Sequence, residues 1–204
     1  MRRMTRVTLF GTFTSPYVRR VRIVLAELGI EPAWVDATTK DGQAQLRAHN
    51  PLWKIPTLQI DGQLVLESAV INRALLDQFG PDPLAPYDAK DLQTANLVTV
   101  IDGVLDALIN TMYLSKEGVT PAQAPYLQKH LDRAAASMTW LDSRIFGLYL
   151  TSQKRFGLPE IALVTAVQWA RFRNMYDVDQ HKNIAACVAA HLGRPSVRDT
   201  APPP

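Results

Sequence analysis

The sequence predicts an α/β domain followed by an all-helical one. Three observations support this. Strand-type runs are confined to the first 66 residues, and two of them flank an Asp61-Gly62 turn. Beyond that point the apolar residues recur only at helical spacing. The two regimes meet at Gly80-Pro81-Asp82-Pro83-Leu84-Ala85-Pro86, where three prolines and a glycine within seven residues can continue no regular element. These features place a first domain at residues 1–80, a linker at 81–87 and a helical domain at 88–204.

The β-branched run Arg6-Val7-Thr8-Leu9-Phe10 opens the chain's order and stops at Gly11. A helix follows, with Ser15 as its N-cap and Pro16 at the first helical position, where a missing N–H costs nothing. Its stripe is Tyr17, Val18, Val21, Val24, Leu25 and Leu28. Arg19, Arg20 and Arg22 fall largely off that stripe, and Gly29 closes the helix. A strand that ends where a helix begins directs backbone N–H groups and a positive dipole end at one point, and Ser15 stands there.

Ala33-Trp34-Val35 is a second strand, and a weak helical segment follows at 43–48. Asn50-Pro51-Leu52-Trp53-Lys54-Ile55-Pro56 is irregular. Then Thr57–Ile60 and Gln63–Leu66 flank Asp61-Gly62, which supplies the positive φ angles of a type I′ hairpin turn. Glu67-Ser68 opens the next helix with Ser68 as its cap. Past the linker, helices are expected over 88–114, from Pro121 or Pro125 to about 146, over 159–173 and over 181–192, with a tail that is mostly loop.

The chain has 22 Lys and Arg against 19 Asp and Glu, a net charge of +3. The arginines are scattered, so no nucleic-acid partner is expected. Cys187 is the single cysteine, which excludes an intramolecular disulfide and a multi-cysteine metal site and fits a reducing compartment. Met1-Arg2-Arg3-Met4 is not followed by the apolar core of a signal peptide. The longest apolar runs, such as 161–167, are too short to span a bilayer, so no membrane partner is expected and the chain reads as cytoplasmic. No H-E-x-x-H, Walker A or G-x-G-x-x-G motif occurs, and four scattered histidines make no metal site.

Four motifs in this order resemble the glutathione transferase superfamily, whose fold joins a thioredoxin-like α/β domain to an all-helical domain. Ser15-Pro16-Tyr17-Val18 lies where thioredoxin-like folds carry C-P-Y-C, with serine at the first cysteine position as in serine-type transferases. Asn50-Pro51-Leu52-Trp53-Lys54-Ile55-Pro56-Thr57-Leu58 is similar to N-P-x-x-x-[VI]-P-x-L, whose proline is cis in relatives. Glu67-Ser68 resembles the acidic-Ser pair of the third helix, and Arg194-Pro195-Ser196 the R-P-S close of the second domain. One departure is Gly157-Leu158-Pro159-Glu160, where relatives have a Ser/Thr-x-x-Asp capping box.

The resemblance implies that glutathione is the cosubstrate. Its γ-glutamyl end would meet Glu67 and Ser68, its cysteinyl backbone that of Ile55 beside cis-Pro56, its carboxylates Lys54, and its sulfur Ser15. Thr12 and Thr14 are rival hydroxyls. The electrophile would lie against Phe13, Ile109, Met112 and Tyr113, in a cleft between the domains. The implied activity is a transferase that adds the glutathione thiol to an apolar electrophile, as in detoxification, with no metal. The same scaffold also serves glutathione-dependent isomerases, disulfide reductases and assembly modules without turnover. A homodimer is implied, with the helix after Ser68 on the partner's 88–114 helix.

Overall fold

The computed structural model describes residues 5–88 and 90–202. Four strands, β1 (Val7–Gly11), β2 (Ala33–Asp36), β3 (Thr57–Ile60) and β4 (Gln63–Leu66), form one sheet in the order β2-β1-β3-β4. β1 and β2 are parallel, and α1 (Pro16–Glu27) supplies the crossover that a parallel pair requires. β3 pairs antiparallel with β1 and β4 antiparallel with β3. α2 (Lys40–His49) precedes the Pro51–Pro56 loop, and α3 (Ser68–Phe79) follows β4. At the hairpin, Asp61 and Gly62 have φ of 50° and 89°, both positive as a type I′ turn needs.

The register decides what this sheet can hold. Phe10 is opposite Thr57, and Thr57 is opposite Leu66. The exit of β1, the entry of β3 and the exit of β4 therefore share one end of the sheet. Gly11 sets how closely α1 seats there. A Cβ on residue 11 would lie 2.5 Å from Val18 Cγ1, so the helix reaches the strand only because that position carries no side chain.

α1 departs from the expected one-sided stripe. Arg19 and Arg20 are 1% and 2% exposed, and Arg22 is half-buried. The cause is a second cover: α8 (Pro195–Arg198), inside the tail expected to be mostly loop, packs on α1. Arg19 donates from Nη2 to Val197 O at 2.9 Å and from Nε to Thr200 Oγ1 at 3.4 Å. Glu27 takes Arg194 Nε and Nη2 at 2.6 and 2.7 Å and also accepts from Ser196 Oγ. By contacts the chain divides into one compact unit of residues up to Tyr87 together with the segment from Arg194, and a second of Asp88–Gly193. The helical unit therefore ends short of the tail that was expected within it.

The second unit holds α4 (Leu92–Lys116), α5 (Pro125–Asp142), α6 (Leu158–Phe172) and α7 (Lys182–His191). Asp91 caps α4 through Gln93 and Thr94 N–H, later than the expected start at 88. Pro125, not Pro121, starts α5, which ends four residues before 146. α2 begins at Lys40, earlier than expected, because Thr39 Oγ1 caps it through Gly42 N. α4 is long and apolar enough to cross a bilayer by length and composition. It buries Leu97, Ile101, Val104, Leu105 and Leu108 and packs on α5 and α6 as a core helix.

α6 is buried nearly throughout. At its start Glu160 Oε2 accepts from Gly157 N at 3.0 Å, so the acidic half of the capping box survives and only the side chain that glycine lacks is missing. Glu160 Oε1 reaches further, to Leu150 N at 2.9 Å, and so holds the 150–157 loop. Burial pushes this carboxyl up, against the pull of those backbone N–H groups.

Candidate active site

Three segments meet at the sheet end defined by Phe10, Thr57 and Leu66. The first carries Ser15. It is the N-cap of α1, in extended backbone, and Ser15 Oγ accepts from Val18 N at 3.3 Å. The cap and the chemical role are compatible. The oxygen receives the helix N–H, and the hydroxyl proton remains to be donated elsewhere. Thr12 and Thr14 flank it, half-buried, and neither hydroxyl has a partner among the described residues.

The second segment is the loop before β3, and a residue that the sequence reading did not single out shapes it. Asn50 is 1% exposed. Its Nδ2 donates to Lys54 O at 2.9 Å and to Thr57 Oγ1 at 2.8 Å, and its Oδ1 accepts from Leu52 N at 2.8 Å. Thr57 Oγ1 in turn donates to Lys54 O at 2.9 Å. Every donor and acceptor of the amide points inward to the loop. The next residue is the reverse case: Ile55, half-buried, has no partner for its backbone N–H or C=O among the described residues. The Ile55–Pro56 bond is cis, and Pro56 is buried. The side chain of Lys54 is exposed and makes no ion pair among the described residues. The asparagine of the Asn50-Pro51 dipeptide was the available signal, since Asx side chains habitually bond to backbone two residues on.

The third segment is the start of α3. Glu67, not Ser68, is its N-cap residue, at φ 67° and ψ 131°, and no side chain caps the helix. The expected cap fails because the positive φ of Glu67 moves the helix start, so Ser68 becomes the first helical residue. Ser68 is 4% exposed, and its hydroxyl has no hydrogen bond among the described residues. The first N–H groups of α3 thus lie beside an unengaged hydroxyl and an exposed carboxylate. An uncapped helix start of this kind suits a carboxylate, and Glu67 suits an ammonium.

Ser15, Ile55, Pro56, Glu67 and Ser68 therefore come to one end of one sheet, with Lys54 beside them. Phe13 is engaged differently. Its ring stacks on Trp34 with centroids 4.6 Å apart, and the Arg22 guanidinium lies 4.7 Å from its centroid. Ile109, Met112 and Tyr113 lie on α4 in the second unit at helical spacing, the first two half-buried and Tyr113 exposed. Among the described residues no three His, Cys, Asp or Glu side chains converge to hold a metal ion.

A mixed four-stranded sheet with this βαβαββα order, a cis-proline before its third strand and a following helical unit is a glutathione transferase architecture. The comparisons agree. Residues 14–78 match the family model for the glutathione S-transferase N-terminal domain. A glutathione S-transferase from Methylobacillus flagellatus, solved with glutathione bound, superposes with a TM-score of 0.83 at 27% identity, covering 97% of this chain and 100% of that one. The uncharacterized GST-like protein YibF of Escherichia coli K12 is 24% identical over 96% of this chain and 98% of that protein. A probable maleylacetoacetate isomerase of Caenorhabditis elegans is 33% identical over 82 residues, 39% of this chain and 38% of its own length. Residues 14–78 thus carry the glutathione S-transferase N-terminal domain, and the chain as a whole resembles the glutathione transferase superfamily in fold.

Proposed function

We propose that the protein is a glutathione transferase that binds glutathione at this end of the sheet and activates its thiol at Ser15. The observation that carries the reading is the unpartnered backbone of Ile55, at the same sheet end as the uncapped start of α3 and the Ser15 hydroxyl. An extended peptide pairs with such a backbone as an added strand would. Glutathione's cysteinyl N–H and C=O take the Ile55 groups. Its γ-glutamyl carboxylate takes the N–H groups of α3 and Ser68 Oγ, its ammonium takes Glu67, and its glycyl carboxylate takes Lys54.

The sulfur then lies at the start of α1. The Ser15 O–H donates to it as a thiolate, while Val18 N holds the oxygen in place. The helix N-terminus adds its positive dipole end. The thiolate attacks an electrophilic carbon, the new C–S bond forms, and the leaving group departs with its electron pair. The working form is a cytosolic homodimer.

Retention on immobilised glutathione, followed by elution with free glutathione, tests the binding step. A panel of an activated aryl halide, a cis-configured diene acid and a mixed disulfide then separates conjugation from isomerisation and reduction. The reading predicts retention and conjugation of the aryl halide. A chain that binds glutathione yet only isomerises or reduces would overturn the transferase assignment.

A further inference from the structure

A second cavity, of about 470 Å³, lies along α1 and the edge strand β2, lined by Phe13, Arg22, Leu25, Ile30, Trp34 and Thr200. Its volume falls within the roughly 300–1,000 Å³ of small-molecule sites. It shares none of Ser15, Lys54, Ile55, Glu67 or Ser68. Its walls are mostly apolar, and the stacked rings of Phe13 and Trp34 close one side.

The charge at this cavity is unbalanced. Arg22 Nη1 donates to Thr200 O at 3.3 Å, and Arg22 has no ion pair among the described residues. Behind Thr200 lies Arg19, 1% exposed, whose bonds go to a carbonyl and a hydroxyl and whose Nη1 is buried without a partner. Burial, reinforced by the charge of Arg22, pushes Arg19 down to about 10, and burial lowers Arg22 as well. The nearby carboxylates do not compensate. Glu27 is taken by Arg194 and Ser196, and Glu31, on the cavity wall, is exposed and bonded to neither arginine. Two adjacent guanidinium groups to which no carboxylate of the described residues is bonded call for an anion, and the apolar walls call for a flat hydrophobic body.

We infer that this cavity binds a planar aromatic carboxylate, its ring against Trp34, Leu25 and Ile30 and its carboxylate on Arg22. The site is distinct from the proposed glutathione site, and its test does not depend on that proposal.

The probe is 2-naphthoate, with 2-naphthylmethanol as its neutral counterpart. Calorimetry on the full chain, with and without S-hexylglutathione, is expected to give one saturable site per chain that S-hexylglutathione does not displace. The alcohol should bind about tenfold or more weakly, the scale of one charge-assisted contact. Arg22→Gln should abolish that preference and Arg22→Lys restore part of it. In ¹⁵N spectra the Trp34 indole resonance, identified through Trp34→Phe, should shift with 2-naphthoate in the otherwise unaltered protein. Lack of saturable binding, displacement by S-hexylglutathione, an unshifted Trp34 resonance, or an undiminished acid preference in Arg22→Gln would each overturn the proposal.

Discussion

Asn50 Nδ2 donates to the carbonyl oxygen of Lys54 at 2.9 Å, and this bond turns the Lys54 carbonyl into the loop. In the same trans peptide group the Ile55 N–H points the opposite way, out of the loop. Asn50→Ala leaves Lys54 O with one donor fewer, and Leu52 N without its 2.8 Å acceptor, in a partly buried setting. The expected cost is about 1–3 kcal/mol of stability, with glutathione affinity about tenfold lower. Denaturant unfolding and calorimetry on the same preparation check both. Unchanged glutathione affinity in the folded variant would remove the loop from the binding site.

Glu67 separates binding from stability. At φ 67° and ψ 131° it occupies backbone that favours glycine, at a cost of about 1–3 kcal/mol. Glu67→Gly should therefore leave the melting temperature level or raise it, while weakening glutathione about ten- to a hundredfold through loss of the ammonium contact. Ser68→Ala should weaken binding on the same scale. A Glu67→Gly protein that melts well below the parent, or binds equally well, would contradict this division.

Two buried carboxylates are expected to make stability respond to pH in opposite directions. Burial acts to raise Glu27, but hydrogen bonds from Arg194 and Ser196 more than offset it and hold the carboxyl below its ordinary 4.5. Its stabilisation is present above that value and lost as pH falls through the lower folded value. Glu160 is raised by burial, so the folded chain binds the extra proton and stability falls as pH rises from about 4.5 through the raised value. Unfolding free energies of Glu27→Gln and Glu160→Gln, each subtracted from the parent across pH, should slope with opposite sign. Parallel slopes would refute the pair.

The proposed homodimer has a surface to account for. Val70 and Phe79 on α3 are 43% and 37% exposed, and Leu92 at the start of α4 is 73% exposed. Light scattering at micromolar concentration should give twice the chain mass. A monomer mass would leave these side chains without the proposed cover.

The order of elements was legible because it follows from local patterns: alternation around Asp61-Gly62, Ser15-Pro16 at a helix start, and prolines at the break. The site residues were implied by the resemblance of four motifs to a family, and the sheet end they share comes from the register. What stayed hidden depended on direction and on distant chain. A helical wheel gives α1 one buried face, whereas the segment from Arg194 covers a second and buries Arg19. Ser68 reads as a cap by residue type, but the backbone of Glu67 shifts the helix start by one. The reach of Glu160 to Leu150 spans ten residues and has no periodic signature.

In the proposed reaction Ser15 stabilises the thiolate of bound glutathione. A free thiol has a pKa near about 8.5 and is about 3% ionised at pH 7. One hydroxyl donating to a thiolate is worth about 1.5–3 kcal/mol, or about one to two pKa units. Ser15→Ala also removes the 3.3 Å bond to Val18 N, at about 0.5–2 kcal/mol of stability, so folding is checked alongside. The direct measurement titrates thiolate absorbance in the ultraviolet with glutathione bound to the parent and to Ser15→Ala. A bound thiol well below about 8.5 is expected in the parent and a rise of about one to two units in the variant, with turnover partly recovered at alkaline pH. Superimposable titrations in the two folded proteins would contradict it and pass the role to Thr12, Thr14 or the N–H groups of α1.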